Sequence, residues 1–212
     1  KVCRDKRLTN LFFQSKNIPV PKEYSKDNIQ FPLFIKPYNG SSSKNIFIIN
    51  NERELNKEIL DNSNFMLLEY IDKNKFNEFT IDIYYNKKSQ ISCIVPRLRI
   101  ETRGGEISKG VTKKNFLIEY ILQRLNNLNG VFGCITLQLF ANKEYTQIFG
   151  IEINPRFGGG YPLSYFAGAN YPLFIIKEYI LNQEIYYFDG WEDNLLMLRY
   201  DKEIIIHDYE EQ

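Results

Sequence analysis

Histidine is all but missing from this chain. His207 is the only one among 212 residues, so Ser-His-Asp and Cys-His catalysis and histidine-rich zinc sites all lose their key side chain. Cysteine is scarce as well. Cys3, Cys93 and Cys134 are odd in number and far apart, which excludes a disulfide framework and a C-x-x-C metal site and fits a reduced, cytoplasmic setting. No apolar run approaches the roughly 20 residues of a membrane span. No segment resembles a signal peptide, and the chain begins with Lys1. An excess of one charge is also lacking. The chain has 27 Lys and Arg against 26 Asp and Glu, interleaved, for a formal net charge of +1, so nothing draws it to nucleic acid or an anionic membrane. Any chemistry has to come from carboxylates, amides, Lys and Arg. The apolar fraction of 43% is enough for a real core in one domain or two closely joined lobes.

The local pattern reads as α+β. Asp5 caps a short helix with Leu8, Leu11 and Phe12 on one face, ending near Asn17. Leu33–Lys36, Ile46–Ile49 and Phe65–Tyr70 are expected strands, and Asn51 with Glu54 forms a capping box for a helix burying Leu55 and Ile59. Residues 79–85 alternate as a half-buried strand, with Ile91–Pro96 as hairpin partner. Arg97–Gly110 reads as a charged, Gly-containing loop. Leu117, Ile121, Leu125 and Leu128 mark one helix face. Two further strands alternate Ile135, Leu137, Leu139 with Thr136, Gln138, and Phe149, Ile151, Ile153 with Gly150, Glu152, Asn154. Asn170-Tyr171-Pro172 opens a helix with Leu173, Ile176 and Ile180 inward, and the tail reads as a strand pair, Leu195–Tyr200 and Glu203–Ile206.

Three segments carry polar residues that a core should not contain. In Gly150–Gly160, period 2 sets Glu152 and Asn154 on one face of an apolar strand. Two oxygen donors so spaced suit a hard cation such as Mg²⁺, and Gln138 adds a third if the hairpin register brings it alongside Glu152. Arg156 could hold a phosphoryl oxygen, and the glycine run lets a ligand approach the backbone. An ordinary hairpin with a solvated polar face is the competing reading. In the second segment Lys36 ends a strand before the small-residue loop Gly40-Ser41-Ser42-Ser43, where ammonium and backbone N–H groups can meet phosphate; a surface hairpin loop is the alternative. In the third, Glu69-Tyr70-Ile71 ends a strand where adenine could dock by backbone hydrogen bonds. Glu78 could accept from ribose hydroxyls. Solvated surface carboxylates explain these residues equally simply.

The order of these residues resembles the ATP-grasp superfamily, from about Arg4 to Ile180. Lys6, Lys36, Glu69-Tyr70-Ile71, Glu78, Gln138 and Glu152-x-Asn154-x-Arg156 follow its sequence of functions. Val95-Pro96-Arg97, Arg103-Gly104-Gly105-Glu106, Ile153–Gly160, Tyr161-Pro162-Leu163-Ser164 and Ala167-Gly168-Ala169 are most similar to the carbamoyl-phosphate-synthetase large subunit. The resemblance implies an ATP-grasp fold of two α+β lobes with mainly antiparallel sheets clamping a nucleotide. Residues 1–20 would be a leading helix and linker, 21–71 the small lobe and 72–212 the large lobe. It implies ATP with Mg²⁺ (manganese as an alternative ion) and a ligase joining a small-molecule carboxylate to an amine or ammonia through an acyl phosphate. Lys6, Lys36 and the Gly40–Ser43 loop would meet the phosphates, Glu69, Tyr70 and Ile71 the adenine, and Glu78 the ribose. Gln138, Glu152 and Asn154 would hold the metal, with Arg156 and Lys36 as catalytic candidates. Arg97, Arg99, Arg103 and Lys109 are candidates for gripping an anionic substrate. Family members usually carry a preceding α/β domain, absent from this chain, which implies a partner domain or separate subunit. A non-catalytic nucleotide-binding module and an ATP-grasp kinase are the other readings.

Overall fold

Asp5 caps the first helix, α1 (Lys6–Ser15), by accepting from the Arg7 N–H. Its buried residues are Thr9 and Phe13, whereas Leu8 and Leu11 face outward. The expected face is therefore rotated: Phe13, in the last turn, sets the docking. The computed structural model describes residues 2–40, 45–201, 205 and 207. After α1, strands β1 (Leu33–Pro37) and β2 (Phe47–Ile49), helix α2 (Lys57–Asp61) and strand β3 (Phe65–Glu69) follow. They make a small antiparallel sheet in the order β2-β1-β3, with Leu33, Ile35, Ile49 and Leu67 in its core. The expected capping box does not close in its reciprocal form: Asn51 Oδ1 accepts from the Arg53 N–H, while Glu54 accepts from the Asn50 N–H and the Asn51 side-chain amide. These bonds close only a 3₁₀ turn, Glu52–Glu54, and Asn56 caps α2 separately.

The second sheet has six strands in the order β8-β7-β4-β5-β6-β9. They are β4 (Phe76–Tyr85), β5 (Ile91–Arg103), β6 (Glu106–Thr112), β7 (Gly133–Asn142), β8 (Ile148–Asn154) and β9 (Leu196–Leu198), with α3 (Leu117–Leu125) between β6 and β7. Helices α4 (Tyr161–Phe166) and α5 (Tyr171–Ile175) follow β8, and α5 continues into a π-helical turn, Ile176–Ile180. The expected charged loop is instead a hairpin. Arg97, Arg99 and Glu101 alternate with Leu98 and Ile100 along β5, and Gly104 and Gly105 both take positive φ at the turn, as a tight hairpin turn demands. The tail does not fold on itself within the described residues: β9 pairs with β6. Glu203, Ile204 and Ile206 lie outside the described residues. The face expected inward after Asn170 is also reversed. Leu173, Ile176 and Ile180 are exposed, while Tyr171 and Glu178 are buried; the Glu178 carboxylate accepts from Tyr84 Oη and the Lys87 N–H, which turns that side inward.

One face of the large sheet carries the main apolar core. Phe79, Ile81, Ile83 and Tyr85 of β4 pack with Leu137 and Leu139 of β7, Leu117 and Ile121 of α3, and Phe13 of α1. A bulge in β8 makes room for that helix. Gly150 pairs with Leu139 and Glu152 with Gln138, leaving Ile151 without a partner. The Gly150 N–H donates to Pro19 O at 2.7 Å, and a Cβ on Gly150 would lie 2.6 Å from the Phe13 ring. The regular alternation expected for β8 is thus reset at Ile151. Only Ile148, Gly150 and Ile153 are buried there.

Candidate functional site

The opposite face of the same sheet changes character along its length. Around Tyr84, Cys93 and Cys134 it is apolar, covered by Tyr161, Tyr171 and Trp191. Burial pushes the Cys93 thiol up to about 12 and raises Cys134 as well, so neither is a nucleophile at neutral pH. Two residues away on β4 and β7, at Asp82 and Thr136, and four away on β5, at Arg97, the face turns polar. The registers set Thr80 between Arg97 and Gln138, Asp82 opposite Thr136, Gln138 opposite Glu152, and Thr136 opposite Asn154. Strand period alone then gathers Thr80, Asp82, Arg97, Thr136, Gln138, Glu152 and Asn154 on one face.

Asp82 anchors this array. Its fully buried carboxylate accepts from Arg97 Nε at 2.7 Å and Nη2 at 3.0 Å, from Ser164 Oγ at 2.6 Å and from Thr136 Oγ1 at 3.3 Å. Thr136 Oγ1 also lies 2.9 Å from Arg156 O, so the same network fixes the chain leaving β8. Arg97 Nη1 is buried without a hydrogen-bond partner. Gly158–Gly160 passes close over these groups. A Cβ on Gly160 would lie 2.3 Å from Arg97 Nη1, and one on Gly159 would lie 2.2 Å from Glu106 Oε2. Only glycine permits that approach.

The result is a small, partly open cleft lined by Thr80, Arg97, Arg99, Glu106, Thr136, Gln138, Asn154, Arg156 and Gly158–Gly160. Arg99 stands 3.3 Å from Glu78 and donates to Gly105 O at 3.0 Å. Lys6 Nζ lies 3.8 Å from Glu152 Oε1 and donates to Gly40 O, which ties α1 to the loop after β1. Lys36 is buried beside them. Burial pulls its ammonium down to about 8, the Lys6 charge adds to the effect, and Glu152 and Glu23 oppose it. Lys6, Lys36, Glu152, Asn154, Gln138, Arg97, Arg99 and Arg156 therefore converge on one region.

The other candidates lie apart from it. Arg103 sits at the hairpin tip and forks onto Asp201; Lys109 pairs with Glu101 and Leu198 along β6. Neither lines the cleft. Glu69 accepts from the Lys22 N–H at 3.2 Å, and residues 22–24 run along the open edge of β3, leaving Tyr70 and Ile71 beyond them. Ser41, Ser42 and Ser43 lie outside the described residues. Sequence reasoning missed Asp82, Thr136, Ser164 and Glu106. The polar alternation Thr80-x-Asp82 and Thr136-x-Gln138 was the available signal for the first two. Among the described residues no three His, Cys, Asp or Glu side chains cluster as a metal site. Glu152 with the amides of Asn154 and Gln138 is an all-oxygen set sharing one face, which fits Mg²⁺ completed by water and phosphate oxygens.

Two sheets of α+β structure, with lysines from α1 and β1 facing this polar face, define the ATP-grasp fold. The chain belongs to the family described as "ATP-grasp in the biosynthetic pathway with Ter operon", whose model matches residues 61–195. No curated protein matches it by sequence. Among solved structures it is similar to the biotin carboxylase domain of Hydrogenobacter thermophilus 2-oxoglutarate carboxylase in complex with MgADP, ADP and bicarbonate. The TM-score is 0.70 at 14% identity, over 92% of this chain and 49% of that one. It is also similar to N5-carboxyaminoimidazole synthetase from Staphylococcus aureus complexed with ADP (TM-score 0.63, 19% identity, 78% and 48%). A third is the L-amino acid ligase from Bacillus licheniformis (0.60, 18%, 83% and 47%). The chain thus spans about half the length of these structures. Among the described residues no helix is long and apolar enough to cross a membrane.

Proposed function

We propose that this chain is the ATP- and magnesium-binding part of a carboxylate–amine or carboxylate–ammonia ligase working through an acyl phosphate, of the carbamoyl-phosphate-synthetase-like type. The observation that carries this reading is the registered polar face: Gln138 beside Glu152, Asn154 two residues on, and Arg156 at the strand exit. Phosphoryl transfer needs positioning and charge neutralisation more than a protein nucleophile, and this array supplies both without a histidine. Lys6 and Lys36 hold the nucleotide phosphates, Glu69, Tyr70 and Ile71 the adenine, and Glu78 the ribose. Gln138, Glu152 and Asn154 hold Mg²⁺, which screens the phosphate charge when bound.

A carboxylate oxygen then bonds to the γ-phosphorus as the bond to the β-bridging oxygen breaks and ADP leaves. Arg156 faces the charge that develops on the transferring group. The amine nitrogen next attacks the acyl carbon, phosphate departs, and the nitrogen loses a proton to solvent. The remaining half of the enzyme, as a further domain or a separate subunit, completes the acceptor site. Incubating the chain with Mg·ATP, candidate carboxylates and hydroxylamine tests the reading. A hydroxamate that requires Arg156 supports it. Phosphate transfer to a hydroxyl with no hydroxamate makes the chain a kinase instead, and ADP binding with no transfer at all makes it a regulatory module.

A further inference from the structure

Among the described residues the Arg156 guanidinium has one partner, Phe157 O at 3.0 Å, and no ion pair. That carbonyl belongs to the next residue and moves with the arginine, so it anchors the side chain to nothing else. Arg156 is also exposed. Where its guanidinium reaches is therefore set by its backbone, which two hydrogen bonds fix. The Arg156 N–H donates to Asn154 O at 2.8 Å, turning the chain sharply after β8. Arg156 O accepts from Thr136 Oγ1 at 2.9 Å, and this bond alone of the two comes from another strand.

Thr136 is buried, stands opposite Asn154 in the register and lies under Gly158, where a Cβ would come within 3.2 Å of both its Oγ1 and its Cγ2. Two residues back on the same face, Cys134 belongs to an apolar cluster. A valine would fill the place of Thr136 without the cost of burying a hydroxyl. The hydroxyl has one proton and two acceptors facing it, Arg156 O at 2.9 Å and Asp82 Oδ1 at 3.3 Å. That proton is shared, with the shorter bond to Arg156 O. Asp82 in turn is clamped by Arg97 and Ser164, so the corner that carries Arg156 is tied to the most rigid polar group in the sheet.

We propose that Thr136 is a positioning residue: its hydroxyl links the buried Asp82–Arg97 pair to the Arg156 backbone and so sets the reach of that guanidinium to the γ-phosphoryl group. This rests on the role given to Arg156 above. The test compares the affinities of the full chain for Mg·ADP and for the magnesium complex of the β,γ-imido analogue of ATP, by isothermal titration calorimetry. Their ratio isolates the γ-phosphoryl contact, because a general loss of fold or of metal binding lowers both affinities together. Arg156→Ala should shift the ratio against the ATP analogue by about tenfold, the worth of one charged hydrogen bond. Thr136→Val, which keeps the shape and removes the donor, should shift it nearly as far. The double variant should be no worse than Arg156→Ala alone, since both changes remove one interaction. Thr136→Ser keeps the hydroxyl and should hold the wild-type ratio, a result that does not depend on how well the valine variant folds. A wild-type ratio in Thr136→Val, multiplied losses in the double variant, or a shifted ratio in Thr136→Ser overturns the inference. If Arg156→Ala leaves the ratio unchanged, the γ-phosphoryl role of Arg156 fails and takes this inference with it.

Discussion

Asp82 and Arg97 form a two-pronged ion pair, Nε–Oδ2 2.7 Å and Nη2–Oδ1 3.0 Å, with both side chains out of reach of water. They stand diagonally on β4 and β5, where Thr80 is opposite Arg97. Everything on the polar face is referenced to this pair, because Asp82 also receives Ser164 from α4 and Thr136 from β7. Removing one partner strands a buried charge. Asp82→Ala is therefore expected to lower unfolding free energy by about 3–5 kcal/mol, measured from urea midpoints. The double variant Asp82→Leu/Arg97→Met should recover most of that loss. A single variant within about 1 kcal/mol of wild type, a difference typical of exposed pairs, would show that the pair is not what holds the face.

Lys36 is expected to make stability, and the proposed nucleotide binding, depend on pH. Its ammonium is held near 8 in the folded chain, against 10.5 unperturbed. Between those values the unfolded chain binds more protons, so stability should rise with pH through that window; below it the cost of the buried charge is present in full. Lys36→Met should flatten this rise. A bound polyphosphate favours the charged form, so Mg·ADP affinity of wild type should fall as pH climbs above about 8, a trend that Lys36→Met loses. Binding titrations from pH 7 to pH 10, a range chosen to bracket the shifted and ordinary lysine values, would reveal an absent trend.

Gly150 controls how α1 meets the sheet. The Phe13 ring occupies the space of a Cβ at that position, so Gly150→Ala should destabilise the chain by about 1–3 kcal/mol through overpacking. Phe13→Leu in the same background should relieve part of the loss. Denaturant midpoints for the two variants decide it, and unchanged stability in Gly150→Ala would contradict the packing described.

The shared polar face of Glu152 and Asn154 was legible because strand period is local. Glu152 and Asn154 share a face whichever partner strand they meet, and the register then brought Gln138 to Glu152. What escaped the sequence depends on partners far away in the chain. The bulge at Ile151 follows from α1 lying against Gly150, and the inward turn of Glu178 follows from Tyr84 and Lys87. The hairpin through Arg97–Gly110 was readable from its alternation and its Gly104-Gly105 turn, but its many charges masked the period. Those charges point at the cleft in Arg97 and Arg99 and away from it in Arg103.

The most direct measurement of the central claim is thermal or urea stabilisation by Mg·ADP, in wild type and in Glu152→Ala. At about 100 times its dissociation constant the ligand should add roughly 2.7 kcal/mol to wild-type stability. Glu152→Ala, lacking the carboxylate of the proposed cation site, should show a much smaller gain at the same concentration. No gain in wild type at saturating Mg·ADP, or an equal gain in both proteins, would contradict the account.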